Sequence, residues 1–187
     1  MHPKEPRALV LLAEGAEEME ATISVDVLRR ASVEVVLAGI DGVSPVRCSR
    51  GVRIVPDVAL ADVTGSFDVV VLPGGKGGAD RLAASPEVGA LLRAQAETDR
   101  LVAAICAAPI ALAAHGVFAG RRMTCHPSVR EIVARHGKHE GDAVVVDGSL
   151  VTSQGPGTTF GFALTLVEML CGVTTRDAIR APMMLLS

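Results

Sequence analysis

The chain of 187 residues contains no tryptophan and no tyrosine, and its four phenylalanines are its only aromatics. That scarcity argues against base stacking on single-stranded nucleic acid and against an aromatic cage for a cationic ligand. A basic excess is also missing. Lys and Arg total 18 against 21 Asp and Glu, a formal net charge of −3, which offers no basic face to nucleic acid. Paired cysteine motifs are absent too. Cys48, Cys106, Cys125 and Cys171 include no C-x-x-C spacing, so neither a structural zinc site nor a thioredoxin motif is indicated. Without a signal peptide, four cysteines in a chain of this size read as free thiols of a reducing compartment. The longest apolar run, Leu101–Ala114, is too short for a membrane span and is interrupted by Pro109.

Cofactor signatures fail as well. Gly155-Pro156-Gly157 follows a strand pattern and opens a helical one, but Phe160 stands at the third glycine position of the dinucleotide fingerprint. Pro73-Gly74-Gly75-Lys76 lacks Walker A spacing. His136 and His139 are three apart in a polar loop with no second pair of ligands, so no metal is expected.

What is present is an α/β pattern. Residues 1–6 are polar with two prolines and read as a loose, disordered tail, leaving 7–187 as a single domain. Arg7–Ala13, Val33–Ile40, Phe67–Leu72 and Leu101–Ile105 are apolar strand runs, the kind that parallel sheets bury on both faces. Helical runs are expected over Glu17–Ala31, Ala79–Ala84, Pro86–Thr98, Ser128–Arg135 and Thr158–Cys171, with Gly77-Gly78 as loop. Val46–Cys48 and Val52–Val55 read as weak strands, and Arg122–Cys125 as a short one. Val144–Val146 and Leu150–Ser153 form a hairpin about Asp147-Gly148. Alternating strands and helices mean a largely parallel sheet.

Ligands of such sheets sit beyond the carboxyl ends of the strands. Four suspicious segments follow a strand there: Glu14–Glu20, Pro73–Gly78, Cys106 and His126. Cys106 ends an apolar strand and precedes an alanine-rich helix with Pro109 in its first turn. This is the outline of a nucleophile elbow, whose helix N-terminus favours a thiolate. The same residue also reads as a small buried hydrophobe. Glu20 shares a helix face with Ile23, Val27 and Ala31 and so points inward, as a general acid/base or as a carboxylate held by first-turn N–H groups. Glu18 aligns with Thr22 and Arg29 on a face expected to be solvated. Gly74-Gly75 can bring backbone N–H groups to a ligand oxygen or simply make a tight turn. His126 suits a base, a substrate ligand or a structural turn.

Five stretches then combine. Arg7-Ala-Leu-Val, Gly15-Ala-Glu-Glu-Met-Glu20, Val69-Val-Val-Leu-Pro-Gly-Gly75, Ala103-Ala-Ile-Cys-Ala107 and Thr152-Ser-Gln-Gly-Pro-Gly-Thr158 occur in this order. Together they resemble the Parkinson's-disease protein deglycase branch of the ThiJ/PfpI superfamily, from about Arg7 to the chain end. The resemblance implies a flavodoxin-like α/β sandwich with three layers, a homodimer, and a cytoplasmic protein found also in nucleus and mitochondria. It implies a reactive, oxidation-sensitive Cys106, a protonated Glu20 as its partner, and His126 in the pocket. Gly74, Gly75 and Ala107 would line an oxyanion-type pocket, and Gly155 and Pro156 would lie in the pocket or near the dimer contact. Arg30 and Arg50 would lie near the pocket and the dimer contact. The activity implied is cofactor-free conversion of methylglyoxal and glyoxal to hydroxy acids, or removal of early glycation adducts, with redox-sensing and chaperone roles also attributed to the branch. A thiolate adding to an aldehyde gives a hemithioacetal, and a neighbouring acid/base can then move protons between the two carbons.

The sequence departs from the branch at two places, Gln154 for the usual arginine and Cys125 for a common threonine. Ala107 stands where peptidase-like members carry histidine, and His139-Glu140 lacks the His-x-Glu spacing of the glutamine amidotransferases.

Overall fold

Strands that are apolar on both faces must lie side by side with helices covering each face. The computed structural model describes residues 5–185 and has this arrangement. The chain runs β1 (Arg7–Leu12), α1 (Glu18–Arg30), β2 (Glu34–Gly39), β3 (Val46–Arg47), β4 (Arg53–Ile54), β5 (Val58–Ala59) and β6 (Val69–Leu72). It continues through α2 (Lys76–Ala84), α3 (Pro86–Glu97), β7 (Leu101–Ile105), α4 (Pro109–His115), β8 (Arg122–Met123), α5 (Arg130–His136) and β9 (Lys138–His139). It closes with β10 (Val144–Asp147), β11 (Leu150–Ser153), α6 (Thr159–Cys171) and α7 (Val173–Arg180). Seven strands form one sheet in the order β10-β11-β7-β6-β1-β2-β5, parallel throughout except for the β10–β11 hairpin. Helices α1 and α6 pack together on one face, and α2, α3 and α4 on the other. This is a flavodoxin-like three-layer sandwich.

The middle of the sheet is apolar because it has no solvated face. β6 is buried along its whole length, and β1 is buried at every residue but Arg7. Ser85 caps α3 by accepting from the Val88 N–H at 3.3 Å, with Pro86 at the first helical position.

Several expected boundaries move. Residues 1–4 of the expected tail lie outside the described residues, and Pro6 is held, its carbonyl accepting from the Glu34 N–H at 2.9 Å. Gly77 and Gly78 belong to α2 rather than to a loop. They are small because α2 starts against the loop after β1, where a Cβ on Gly78 would sit 2.7 Å from Ala16 Cα. β5 adds a sheet edge that two residues could not announce. β8 stands outside the main sheet and pairs in parallel with β9, a strand in the stretch read as polar loop. His126 therefore does not follow a strand of the main sheet. Two hydrogen bonds nevertheless tie its segment to that sheet's edge, Thr124 N–H to Thr152 Oγ1 at 2.9 Å and His126 N–H to the Cys106 carbonyl at 2.8 Å.

Candidate active site at the carboxyl edge of the sheet

The elbow arises where β7 ends. The Cys106 N–H donates to the Ser153 carbonyl at 2.9 Å, so the strand pairing continues up to this residue. Cys106 then turns with φ +62°, a left-handed conformation that costs a non-glycine residue roughly 1–2 kcal/mol. Ala108 and Pro109 start α4 directly behind it. The side chain is thereby pushed off the strand end toward an open pocket of about 680 Å³, whose walls include Gly75, Ala107, His126, Arg50 and Pro156.

Two glycines shape the wall opposite. A Cβ on Gly74 would meet Cys106 Cβ at 2.7 Å and Ala107 N at 2.8 Å. Gly75 has φ +77°, and a Cβ there would lie 2.4 Å from the Gly15 carbonyl oxygen. Only residues without side chains let this loop close over the elbow. The N–H groups of Gly75 and Ala107 are directed at the Cys106 sulfur, whereas the Gly74 N–H donates to Glu20 Oε2 at 2.7 Å.

Glu20 reaches the elbow from α1 and is fully buried. Its own backbone N–H is satisfied by the Glu17 carboxylate at 2.8 Å, the N-cap of the helix. Oε1 of Glu20 has no partner of good geometry, and the Cys106 thiol is the polar group coupled to this carboxyl. Burial pushes the carboxyl up from 4.5 to about 7, against the Gly74 N–H and the thiol, which favour the anion. Burial and then the Glu20 charge push the Cys106 thiol up to about 12, while the Gly75 and Ala107 N–H groups pull it down. The expected pull of a helix N-terminus is thus outweighed, first by burial and then by the Glu20 charge. Two anions in so dry a site repel, so the pair keeps one proton between them around neutrality. An oxygen without an acceptor's reward and a sulfur facing N–H donors are the two places for it.

The rim is wetter. His126 is exposed, and its Nδ1 accepts from the Ser128 N–H at 3.2 Å and lies 2.8 Å from Ser128 Oγ. An accepting Nδ1 assigns the proton of the neutral ring to Nε2. Arg50 is exposed on the loop between β3 and β4, and that loop is anchored by Glu18. Contrary to the solvated face expected, Glu18 is buried and accepts from Ser49 Oγ at 2.9 Å and the Arg50 N–H at 2.8 Å. Helical periodicity sees only one covering layer, and here the β3–β4 hairpin covers α1 from a second side. Burial favours the neutral acid, but these hydrogen bonds outweigh it and hold Glu18 below its ordinary value. The sequence places Glu18 on the wrong face and gives Ser128 no role; the His-Pro-Ser turn is the only available hint of the latter.

Gly155 and Pro156 follow β11, which is parallel to β7, so their loop shares the same edge. Gly155 lies behind the histidine, where a Cβ would contact His126 Cδ2 at 3.7 Å. Gln154 donates to the Gly141 carbonyl at 2.7 Å. Arg30 is not among the pocket walls; it closes the far end of α1, with Nε 2.6 Å from Asp26 Oδ2. Cys48 and Cys125 are buried, and burial raises both thiols, to about 11. Among the described residues, no three His, Cys, Asp or Glu side chains are grouped to hold a metal ion.

Comparison with known proteins gives the family and the fold. The model of the DJ-1/PfpI family matches residues 6–169. A Parkinson disease protein 7 homolog of Danio rerio is 49% identical over 183 residues, 96% of this chain and 97% of that one. A protein of Caenorhabditis elegans named glutathione-independent glyoxalase DJR-1.2 is 44% identical over 95% of this chain and 96% of its own. The crystal structure of Drosophila melanogaster DJ-1beta superposes with a TM-score of 0.96 at 46% identity, covering 98% of this chain and all of that one. With the elbow, its glycine wall and the buried glutamate in one place, and relatives matching nearly end to end, the chain belongs to the DJ-1/PfpI family.

Proposed function

We propose that the protein is a cofactor-free glyoxalase in which Cys106 is the nucleophile and Glu20 carries the proton, acting on methylglyoxal and glyoxal. One observation carries the reading: the sulfur of a left-handed elbow faces two backbone N–H groups and lies beside the fully buried carboxyl of Glu20, which burial raises to about 7. The C. elegans relative's name supports the same reaction class. The aldehyde carbon accepts the sulfur, and its oxygen takes the proton that the pair holds, giving a hemithioacetal. Glu20, now ionised, removes the hydrogen from that carbon as a proton and returns it to the neighbouring carbonyl carbon, while the hydroxyl proton on the first oxygen passes to the second. One carbon is oxidised and the other reduced within the substrate, and a thioester of the hydroxy acid results. Water cleaves it, with ionised Glu20 taking the water's proton as the sulfur leaves, which restores the pair, while the Nε2–H of His126 at the rim serves as a substrate ligand by donating to the acyl oxygen. Gly75 and Ala107 N–H groups, with Gly74 holding Glu20, stabilise the oxygen and sulfur charge. Glycation adducts that release or present the same aldehyde would enter the sequence at the first step, which is the deglycase form of the reading.

Pure protein given methylglyoxal should form lactate, and Cys106→Ser should lower kcat/KM by at least about 10³-fold. Normal turnover by that variant would sink the proposal. A second reading, oxidation sensing at the same thiol, is favoured by Cys106 being 8% exposed on its pocket, against 3% for Cys48, which lines the neighbouring cleft, and 2% for Cys125. Mild peroxide followed by peptide mass spectrometry should find sulfinate at Cys106 first; oxidation at Cys48 or Cys125 with Cys106 still reduced would end it.

We also infer a homodimer of a cytoplasmic protein. An apolar hollow of about 320 Å³ between α1 and β4, lined by Val25, Leu37 and Ile54, supports a contact there, near Arg30. Among the described residues no helix is long and apolar enough to cross a membrane. Sedimentation should give twice the chain mass; a monomer at micromolar concentration would refute the dimer.

A further inference from the structure

Beside the Cys106 pocket lies a second open cleft of about 530 Å³. The two share Gly15, Ser49, Arg50 and Gly77, so they form one continuous surface. The remaining walls of the cleft bring in Arg47 from β3 and Arg81 from α2. Three arginines therefore border one cleft in a chain whose formal net charge is −3. Their charge is poorly answered. Among the described residues, neither Arg47 nor Arg50 has a carboxylate within 4.0 Å of its side chain. Arg81 has only Asp41 at 3.5 Å, an exposed pair of the kind worth little. Glu14 is the one carboxylate in the wall, and its Oε2 accepts from the Arg47 backbone N–H at 3.0 Å. The hairpin adds to the imbalance. Arg47 stands opposite Arg53 in the β3–β4 register, and like charges so placed are destabilising. A structure that gathers cations at a cost to itself recovers that cost when an anion binds.

The combined space also exceeds what a three-carbon aldehyde fills. We propose that the cleft is a subsite for an anionic group, a carboxylate or phosphate, borne on the chain attached to the reacting carbonyl. Guanidinium forks match both oxyanions by paired N–H donation. Arg50 belongs to both spaces and lies at the join between them. Arg47 and Arg81 reach the anion alone and touch no reacting atom. The preferred substrates are then acidic α-oxoaldehydes rather than methylglyoxal itself. The position of the subsite, not its affinity for anions, rests on the glyoxalase reading.

The test compares 4,5-dioxopentanoate with its uncharged counterpart 2-oxopentanal. At low salt kcat/KM should favour the acid by about tenfold, the range of one good charge-assisted contact. The preference should vanish at roughly 1 M salt, where charges are screened beyond about 3 Å. Arg47→Gln/Arg81→Gln should abolish it and leave 2-oxopentanal turnover unchanged, which also shows that the variant is folded. Equal turnover of the two aldehydes by the wild type, or a preference that survives in the double variant, would overturn the subsite. Binding of inorganic phosphate, followed by chemical-shift changes, separates the two proposals. If neither aldehyde reacts, the glyoxalase reading fails, yet phosphate should still shift the amides of the β3–β4 loop in the wild type and not in the double variant. Identical shifts in both proteins would remove the anion site itself.

Discussion

Glu18 and Glu20 stand two residues apart in the first turn of α1, both buried, and their proton affinities move in opposite directions. Glu18 turns to the β3–β4 hairpin, where a hydroxyl and backbone N–H groups converge on its two oxygens. Glu20 turns to the elbow, where one N–H meets Oε2 and Oε1 goes without. Burial acts on both. The difference lies in depth and in donors: Glu20 is fully enclosed and has one N–H, whereas Glu18 keeps 7% of its surface and has several, and the two together decide whether a buried carboxyl stays an anion. A fully served carboxylate makes a good anchor and a poor proton carrier. The underserved one beside the sulfur has what a general acid/base needs, an affinity near the working pH.

The sharpest break of this contrast is in turnover. Glu20→Gln keeps the shape and removes the exchangeable proton, so kcat should fall by about 10²–10⁴-fold, the usual worth of general acid/base catalysis. Turnover within a few-fold of wild type would show that the two glutamates do not differ in function.

Next in size is the pH dependence of stability. The folded state holds the Glu20 proton more tightly than the unfolded chain does, so this residue's contribution is full below about 4.5 and lost as pH rises through about 7. A rise from 4.5 to about 7 corresponds to about 3 kcal/mol. The Glu20→Gln protein should therefore lose less stability than wild type between those pH values in chemical denaturation. Glu18 has the opposite sign. Its affinity is lowered on folding, so its contribution is present above 4.5 and lost as pH falls. If Glu20→Gln declined with pH as steeply as wild type, the raised affinity assigned to Glu20 would be wrong.

Much of this was legible before any coordinates. β1, β6 and β7 announce themselves as uninterrupted apolar runs because nothing but a doubly covered sheet can bury them. The inward face of Glu20 followed from its spacing to Val27 and Ala31, both buried. What stayed hidden depended on partners far away in sequence. The hairpin that buries Glu18 lies some thirty residues downstream. Gly77 and Gly78 read as loop because glycine is a weak helix former, and the packing against Ala16 that demands them is a tertiary fact. β8 has a strand's composition, but composition does not say which sheet it joins. The Cys106 thiol shows the same limit, since a helix N-terminus is visible in sequence and burial beside a carboxyl is not.

The smallest expected effect is the most discriminating. Glu18→Gln keeps an acceptor oxygen but turns an amide NH₂ toward the donors of Ser49 and Arg50. Losing charge-assisted bonds of this kind costs about 1–3 kcal/mol. The loop that carries Arg50 should loosen, and KM for methylglyoxal should rise by about threefold to tenfold with kcat nearly unchanged. The split matters more than the size. Glu18 touches no reacting atom, so it acts on the step only through where the Arg50 loop rests, and a positioning loss of that kind appears in binding. Glu20 sits on the sulfur, and its loss appears in kcat. Should Glu18→Gln instead lower kcat as far as Glu20→Gln does, proton transfer would have to run through both carboxyls, and their opposite affinities would no longer separate anchor from acid.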